Sequence, residues 1–283
     1  MDPGKILILL GALLLSVAWG QARPRPPLAG NEMAVEIYDG YLAVAQGTAN
    51  GIPNLRFLLD TGASDTAIDR SVAEKLGLWT KPSKVTSFDK TVDSQWTQLT
   101  EITFGPERAS NVRVMIEDLG YFRSVGAHVD GVIGLDQLRR QSFLLNYAAK
   151  RVVFGPAATP GMRSAPMLPG GKVIKVEAEL DGSPVWMVAD TGAPGTVLYD
   201  DLAASYRLEG GAHWLSLTGY VESRIAIVPR FRMGGQDLAR EVILVSVPQA
   251  KRLSGVSGYL GVASLEAREV AFDFESNLFL WKK

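Results

Sequence analysis

Two aspartates stand in matching surroundings 130 residues apart. Asp60-Thr61-Gly62-Ala63 returns as Asp190-Thr191-Gly192-Ala193, and each follows a short apolar run, Phe57-Leu58-Leu59 in the first case and Trp186-Met187-Val188-Ala189 in the second. A single Asp-Thr-Gly reads as a turn, because Asp and Gly favour turns and Thr suits a strand end. A turn does not need a charge at the end of an apolar strand, however, and a buried carboxylate costs several kcal/mol unless it is paired or protonated. Two such carboxyls brought together cannot both ionise easily, so the pair holds one proton over a range of pH. A pair in that state can hold a water, take a proton from it with the ionised member and polarise a carbonyl with the protonated one. Thr61 and Thr191 are expected to hydrogen-bond between the two loops. Gly62 and Gly192 are expected to let backbone approach closely, with amides aimed at the carboxylates.

The elements that position these loops also repeat. Gly131-Val132-Ile133-Gly134 matches Gly258-Tyr259-Leu260-Gly261, and Leu138, Asn146, Tyr147 and Val152 match Leu265, Asp273, Phe274 and Phe279, all at an offset of 127. Two blocks in one order at nearly constant spacing mark a duplicated unit. Apolar runs are short, often β-branched and bounded by Gly or Pro, as in Val112 to Ile116, Arg151 to Phe154, Val173 to Leu180, Val242 to Val247 and Leu278 to Trp281, and they predict strands. Helical signals are confined to Asp69–Leu76, ending at Gly77, and the equivalent 200–206. The fold class is therefore all-β with short helices. Proline-rich stretches divide the chain into a linker at 21–32, an N-terminal lobe at 33–156, a second linker at 157–172 and a C-terminal lobe at 173–283.

On these residues the chain resembles the pepsin/retropepsin superfamily of aspartic proteases. Asp60-Thr61-Gly62-Ala63-Ser64 and Asp190-Thr191-Gly192-Ala193-Pro194 look like its two active-site loops, and the two Gly-bounded apolar motifs look like the segment that supports each loop. The resemblance implies two β-barrel lobes with a cleft between them and metal-free, cofactor-free hydrolysis of peptide bonds, with Asp60 and Asp190 catalytic and Thr61, Gly62, Ala63, Thr191, Gly192 and Ala193 as loop support. Alanine in place of the hydroxyl residue of pepsin-like loops is similar to retroviral enzymes, so the chain looks like two retropepsin-like subunits joined covalently, a form found in bacteria. The missing hydroxyl implies a raised apparent pKa for the pair. The resemblance also implies a hairpin flap over the cleft, sought at Val85 to Trp96 and Leu217 to Glu222, with Phe88, Trp96 and Tyr220 as substrate contacts or, equally, as hairpin packing.

Other chemistries find little purchase. A net charge of −1 offers no basic surplus for nucleic acid, and the lack of cysteine excludes disulfides and thiolate chemistry. His128 and His213 have no partner at metal-ligand spacing, and Asp130 and Asp136 read as loop and cap residues. Lys5 followed by the apolar run Ile6 to Val17 and small residues at Ala18 and Gly20 reads as a signal peptide over 1–20, hence export to the periplasm or medium; an uncleaved anchor tethering the protein to a membrane is the other reading. Two rivals remain at this stage. One is a catalytically silent lobe pair that binds a peptide or envelope component, and the other is lobes that pair between molecules, although the linker reaches within one chain.

Overall fold

The computed structural model describes residues 30–87, 90–156, 159–168, 170–203, 206–249 and 252–283. The segment 1–20 read as a signal peptide, residues 21–29 of the expected linker and Phe88 lie outside the described residues. Within them the short apolar runs fold as strands, with two short helices, Arg70–Lys75 and the single turn Leu135–Leu138; the first is capped by Asp69, whose carboxylate accepts from the Ser71 amide at 2.9 Å. The hairpin before each aspartate turns on Asn50-Gly51 and Asp181-Gly182, all four at positive φ, the geometry that matches strand twist in a two-residue turn.

Each lobe is built around the same crossing of strands. In the first, Ile52–Leu59 runs parallel to Gly131–Ile133, which lies antiparallel to Ala67–Asp69, which in turn runs parallel to Glu107–Glu117. Gly131–Ile133 therefore sits between the strands that enter and leave the Asp60 loop. In the second lobe Ser183–Asp190, Gly258–Gly261, Thr196–Tyr199 and Glu241–Val245 repeat the arrangement in the same order and sense. The glycines of the inserted strand are needed for space. A Cβ on Gly131 would lie 2.8 Å from the Ala67 carbonyl oxygen and 2.7 Å from the Phe57 ring, and one on Gly261 would lie 2.6 Å from the Ala193 carbonyl oxygen.

The two lobes share a six-stranded antiparallel sheet in the order Glu32–Tyr38, Arg151–Phe154, Phe143–Asn146, Glu269–Asp273, Leu278–Lys282, Arg163–Leu168. At its centre Phe143 faces Phe272 and Leu145 faces Val270. Exchanging each residue for its mate 127 positions away converts one pair into the other, so the sequence repeat is a twofold axis between the two central strands. Phe143, Phe272, Phe279 and Trp281 pack in a row, with centroids 4.9 to 5.8 Å apart, into the main core.

The segment 157–172 is more than the expected linker. It contributes Arg163–Leu168 to the edge of the shared sheet, with Ala165 and Met167 buried. Pro166 obscures the strand in the sequence, but an edge strand tolerates proline because one side of its backbone has no ladder to complete. Similarly, Glu32–Tyr38 begins inside the expected 21–32 linker and pairs with both Leu42–Ala49 and Arg151–Phe154. The expected second helix at 200–206 is a single 3-10 turn at Asp200–Ala203.

The crossing predicts a sensitive position. Gly131→Ala is expected to destabilise the protein by about 1–3 kcal/mol, since the added methyl meets backbone oxygen and a fixed ring. Urea denaturation checks this, and an unchanged midpoint contradicts the packing account.

Candidate active site

Asp60 follows directly from the strand Ile52–Leu59, and its amide donates to the Ile133 carbonyl at 3.1 Å. Asp190 ends the strand Ser183–Asp190 and pairs in register with Gly261. The two inserted strands thus hold both carboxyl groups at the ends of buried strands, where they are 7% and 5% exposed. The carboxyls hydrogen-bond to each other. Backbone amides complete the shell: Gly62 and Ala63 donate to Asp60 Oδ1 at 2.8 and 3.2 Å, and Gly192 donates to Asp190 Oδ1 at 2.8 Å.

The loops are locked together by threonine. The Thr61 amide donates to Thr191 Oγ1 and the Thr191 amide to Thr61 Oγ1, both at 3.0 Å. Each hydroxyl then donates to a carbonyl of the opposite lobe, Thr61 to Ala189 and Thr191 to Leu59, both at 2.8 Å. All four bonds are buried and related by the twofold axis. Gly62 and Gly192 face the carboxyl of the other lobe. A Cβ on Gly62 would land on the Asp190 carboxyl, and one on Gly192 would lie 2.7 Å from Asp60 Cγ.

Burial drives both carboxyls above the ordinary aspartate range. Asp190 is raised further, because the charge of Asp60 adds to burial, while the loop amides pull both down. Ala63 and Ala193 contribute no hydroxyl that would lower them further. The pair therefore keeps one proton beyond the pH at which an isolated aspartate has lost it.

A cleft of about 440 Å³ opens above the pair and is lined by both lobes. A hairpin from each lobe borders it. In lobe one Lys81–Ser87 pairs with Lys90–Phe104, and Ser83 through Ser87 face the cleft; in lobe two Arg207–Ser216 pairs with Gly219–Ile227, and Trp214 through Leu217 face it. The expected aromatic contacts are placed differently. Trp96 lies at the base of its hairpin, opposite Lys81, edge-on to Trp79 at 5.2 Å and beneath the Arg113 guanidinium at 4.4 Å. Tyr220 stands just past the Leu217-Thr218 turn and is 53% exposed. Neither lines the cleft, and Val85, Trp214 and Leu217 occupy that role. The direction of a hairpin side chain depends on register and turn, which residue type alone does not specify.

His128 is an exposed loop residue 3.3 Å from Asp130, and Asp130 accepts the Arg56 amide at 2.8 Å, so it serves the fold rather than the cleft. Asp136 accepts from Thr66 Oγ1 at 2.7 Å, and Thr66 Oγ1 itself accepts the Gly134 amide at 3.1 Å, bracing the Asp60 loop from behind. Thr196 makes the matching brace to Ser264 at 2.9 Å. Thr66 and Thr196 are 130 residues apart, so the repeat carried a signal for them that residue chemistry did not. Tyr41, whose pKa is raised by burial first and then by the charges of Asp39, Asp190 and Asp60, and Glu117, on the cleft wall, left no such signal.

Two measurements probe this geometry. Thr61→Val leaves a buried amide and a buried carbonyl without partners and is expected to cost about 2 kcal/mol or more; Thr61→Val/Thr191→Val is expected to cost less than the sum of the single changes, because they share one network. Additive urea midpoints contradict that coupling. For the carboxyls, a raised folded-state pKa means that the folded protein binds more protons than the unfolded chain. Their contribution is full below the ordinary aspartate value and is lost as pH rises through the raised one. Asp190→Asn, which cannot ionise, is therefore expected to gain at least about 1 kcal/mol on wild type between acid and neutral pH, and a gap that shrinks with pH reverses the sign of the argument.

Among curated proteins none matches the chain. The protein family described as aspartyl protease matches it twice, over residues 45–137 and again over 176–263, one match for each crossed-strand unit with its aspartate and its Gly-bounded motif. Together the two segments span more than half of the sequence, and the chain belongs to the aspartyl protease family.

Proposed function

We propose that the protein is an aspartic endopeptidase in which Asp60 and Asp190 share one proton and activate a water against a peptide carbonyl. The observation that carries this reading is the pair itself: two buried carboxyls hydrogen-bonded to each other on the floor of a cleft bordered by a hairpin from each lobe.

The ionised carboxyl takes a proton from the water while the protonated one donates to the carbonyl oxygen, and the water oxygen bonds to carbon to give a gem-diol. The carboxyl that gained the proton passes it to the amide nitrogen. A diol hydroxyl returns its proton to the other carboxyl, the C–N bond breaks and the products are an acid and an amine. The charge stays delocalised over two carboxyls already surrounded by amides, so little reorganisation accompanies the step. The threonine network serves this chemistry by holding the carboxyls at fixed separation. Substrate is an extended peptide, whose backbone suits a cleft walled by hairpins. Export of the mature protein is part of the proposal on the strength of the N-terminal apolar run alone.

The test is cleavage of an unbiased peptide library from acid to neutral pH by wild type, Asp60→Asn and Asp190→Asn. Each variant is expected to lose at least about a thousandfold in kcat/KM. The profile is expected to be bell-shaped, rising as the first carboxyl ionises and falling as the pair loses its last proton. Because burial and mutual charge hold that proton longer, the falling limb is expected above the ordinary carboxylate range. A folded wild type that cuts nothing sinks the reading in favour of a binding protein, and a profile confined to strong acid sinks the pKa argument.

A further inference from the structure

The lobe-one wall of the cleft ends in a buried acid. Strand Glu107–Glu117 alternates its side chains and turns Arg113, Met115 and Glu117 toward the cleft. Glu117 is 7% exposed, and its Oε1 accepts from Ser94 Oγ at 2.5 Å. Ser94 lies on the long strand of the lobe-one hairpin, so one hydroxyl holds one oxygen while the residue borders the cleft.

The neighbouring charges are engaged elsewhere. Arg70 acts on Glu117 through its field without an ion pair, the Arg113 guanidinium lies over Trp96, and Lys84 pairs with Asp93 at 3.1 Å. Asp69 caps its helix, Asp118 accepts the Gly120 amide, and Tyr121 is a neutral phenol that burial pushes further from ionising. A desolvated carboxyl without a counter-ion is costly, and a cation delivered from the cleft relieves that cost. The same cleft is lined in lobe one by Leu58, Val85, Met115 and Phe122, an apolar surface suited to the aliphatic stem of a long basic side chain.

Building on the peptidase reading, we infer that Glu117 is a specificity-determining residue that selects peptides presenting lysine or arginine to the lobe-one wall beside the aspartate pair. In the matched strand pairs Glu117 stands opposite Asp69 as Val245 stands opposite Tyr199, so its counterpart in the second lobe is the apolar Val245 and the preference belongs to one lobe only.

The test compares peptides that differ only in Lys, Leu or Glu at each position flanking the cut. Wild type is expected to favour Lys over Leu at one position by about tenfold or more in kcat/KM, about 1.4 kcal/mol. Glu117→Gln, which keeps an acceptor for Ser94, is expected to bring that ratio to about one. Ser94→Ala, which keeps an ionisable carboxyl but removes the bond that favours its charged form, is expected to retain the preference at neutral pH, whereas a merely structural role makes the two variants behave alike. Binding of the same labelled peptides to Asp190→Asn, with and without Glu117→Gln, separates the two readings. A Lys preference in binding that Glu117→Gln removes, with no cleavage by wild type, overturns the peptidase and keeps the role of Glu117. Absence of a Lys preference in both assays, a preference for Glu, or a ratio unchanged by Glu117→Gln overturns the role.

Discussion

Two like carboxyls buried within hydrogen-bonding reach of one another constrain the rest of this molecule. Ionising both in a place that excludes water is strongly unfavourable, and separating them removes the chemistry that the pair offers. Their positions must therefore be imposed by groups that do not depend on charge. The crossed threonines meet that need with four buried bonds between neutral donors and acceptors, two for each lobe. The glycines after them meet it by absence, since any side chain at Gly62 or Gly192 would occupy the space of the opposite carboxyl.

Duplication supplies this geometry economically. One crossed-strand unit places one carboxyl at the mouth of a strand, and a twofold operation supplies the second. The shared sheet is where the operation is enforced: Phe143 against Phe272 and Leu145 against Val270 fix the register of one lobe on the other, and an aromatic row buries that seam. A slip of one residue in this pairing would turn Phe143 and Phe272 out of the core. The precision of the site thus rests on sheet register some distance below it.

The copies differ where symmetry is not required. The brace behind the Asp60 loop ends in Asp136, while that behind the Asp190 loop ends in Ser264. A capped helix in lobe one corresponds to a 3-10 turn in lobe two. Each lobe keeps a hairpin at the cleft, but the hairpins present different side chains, polar Ser83 and Thr86 from one and Trp214 and Leu217 from the other. The cleft thus has a symmetric floor and asymmetric walls.

The sequence by itself determined the repeat, the strand-rich class, the two aspartates and the loop residues that flank them. These are readable because they are local patterns: a short string, a fixed offset and glycines whose need for space recurs at the same positions. The helix within 69–76 and the strands 151–154 and 278–282 were legible for the same reason. The tertiary structure alone decided which side chains line the cleft. Trp96 and Tyr220 are chemically plausible contacts that strand register sends elsewhere, whereas Glu117 and Trp214 reach the cleft, and Tyr41 the field of the pair, from segments outside the two loops. It also decided that 163–168 is a strand, because its partner, Leu278–Lys282, lies over a hundred residues away. A side chain's environment is set by long-range pairing, and a linear pattern records that pairing only where the duplication wrote it twice.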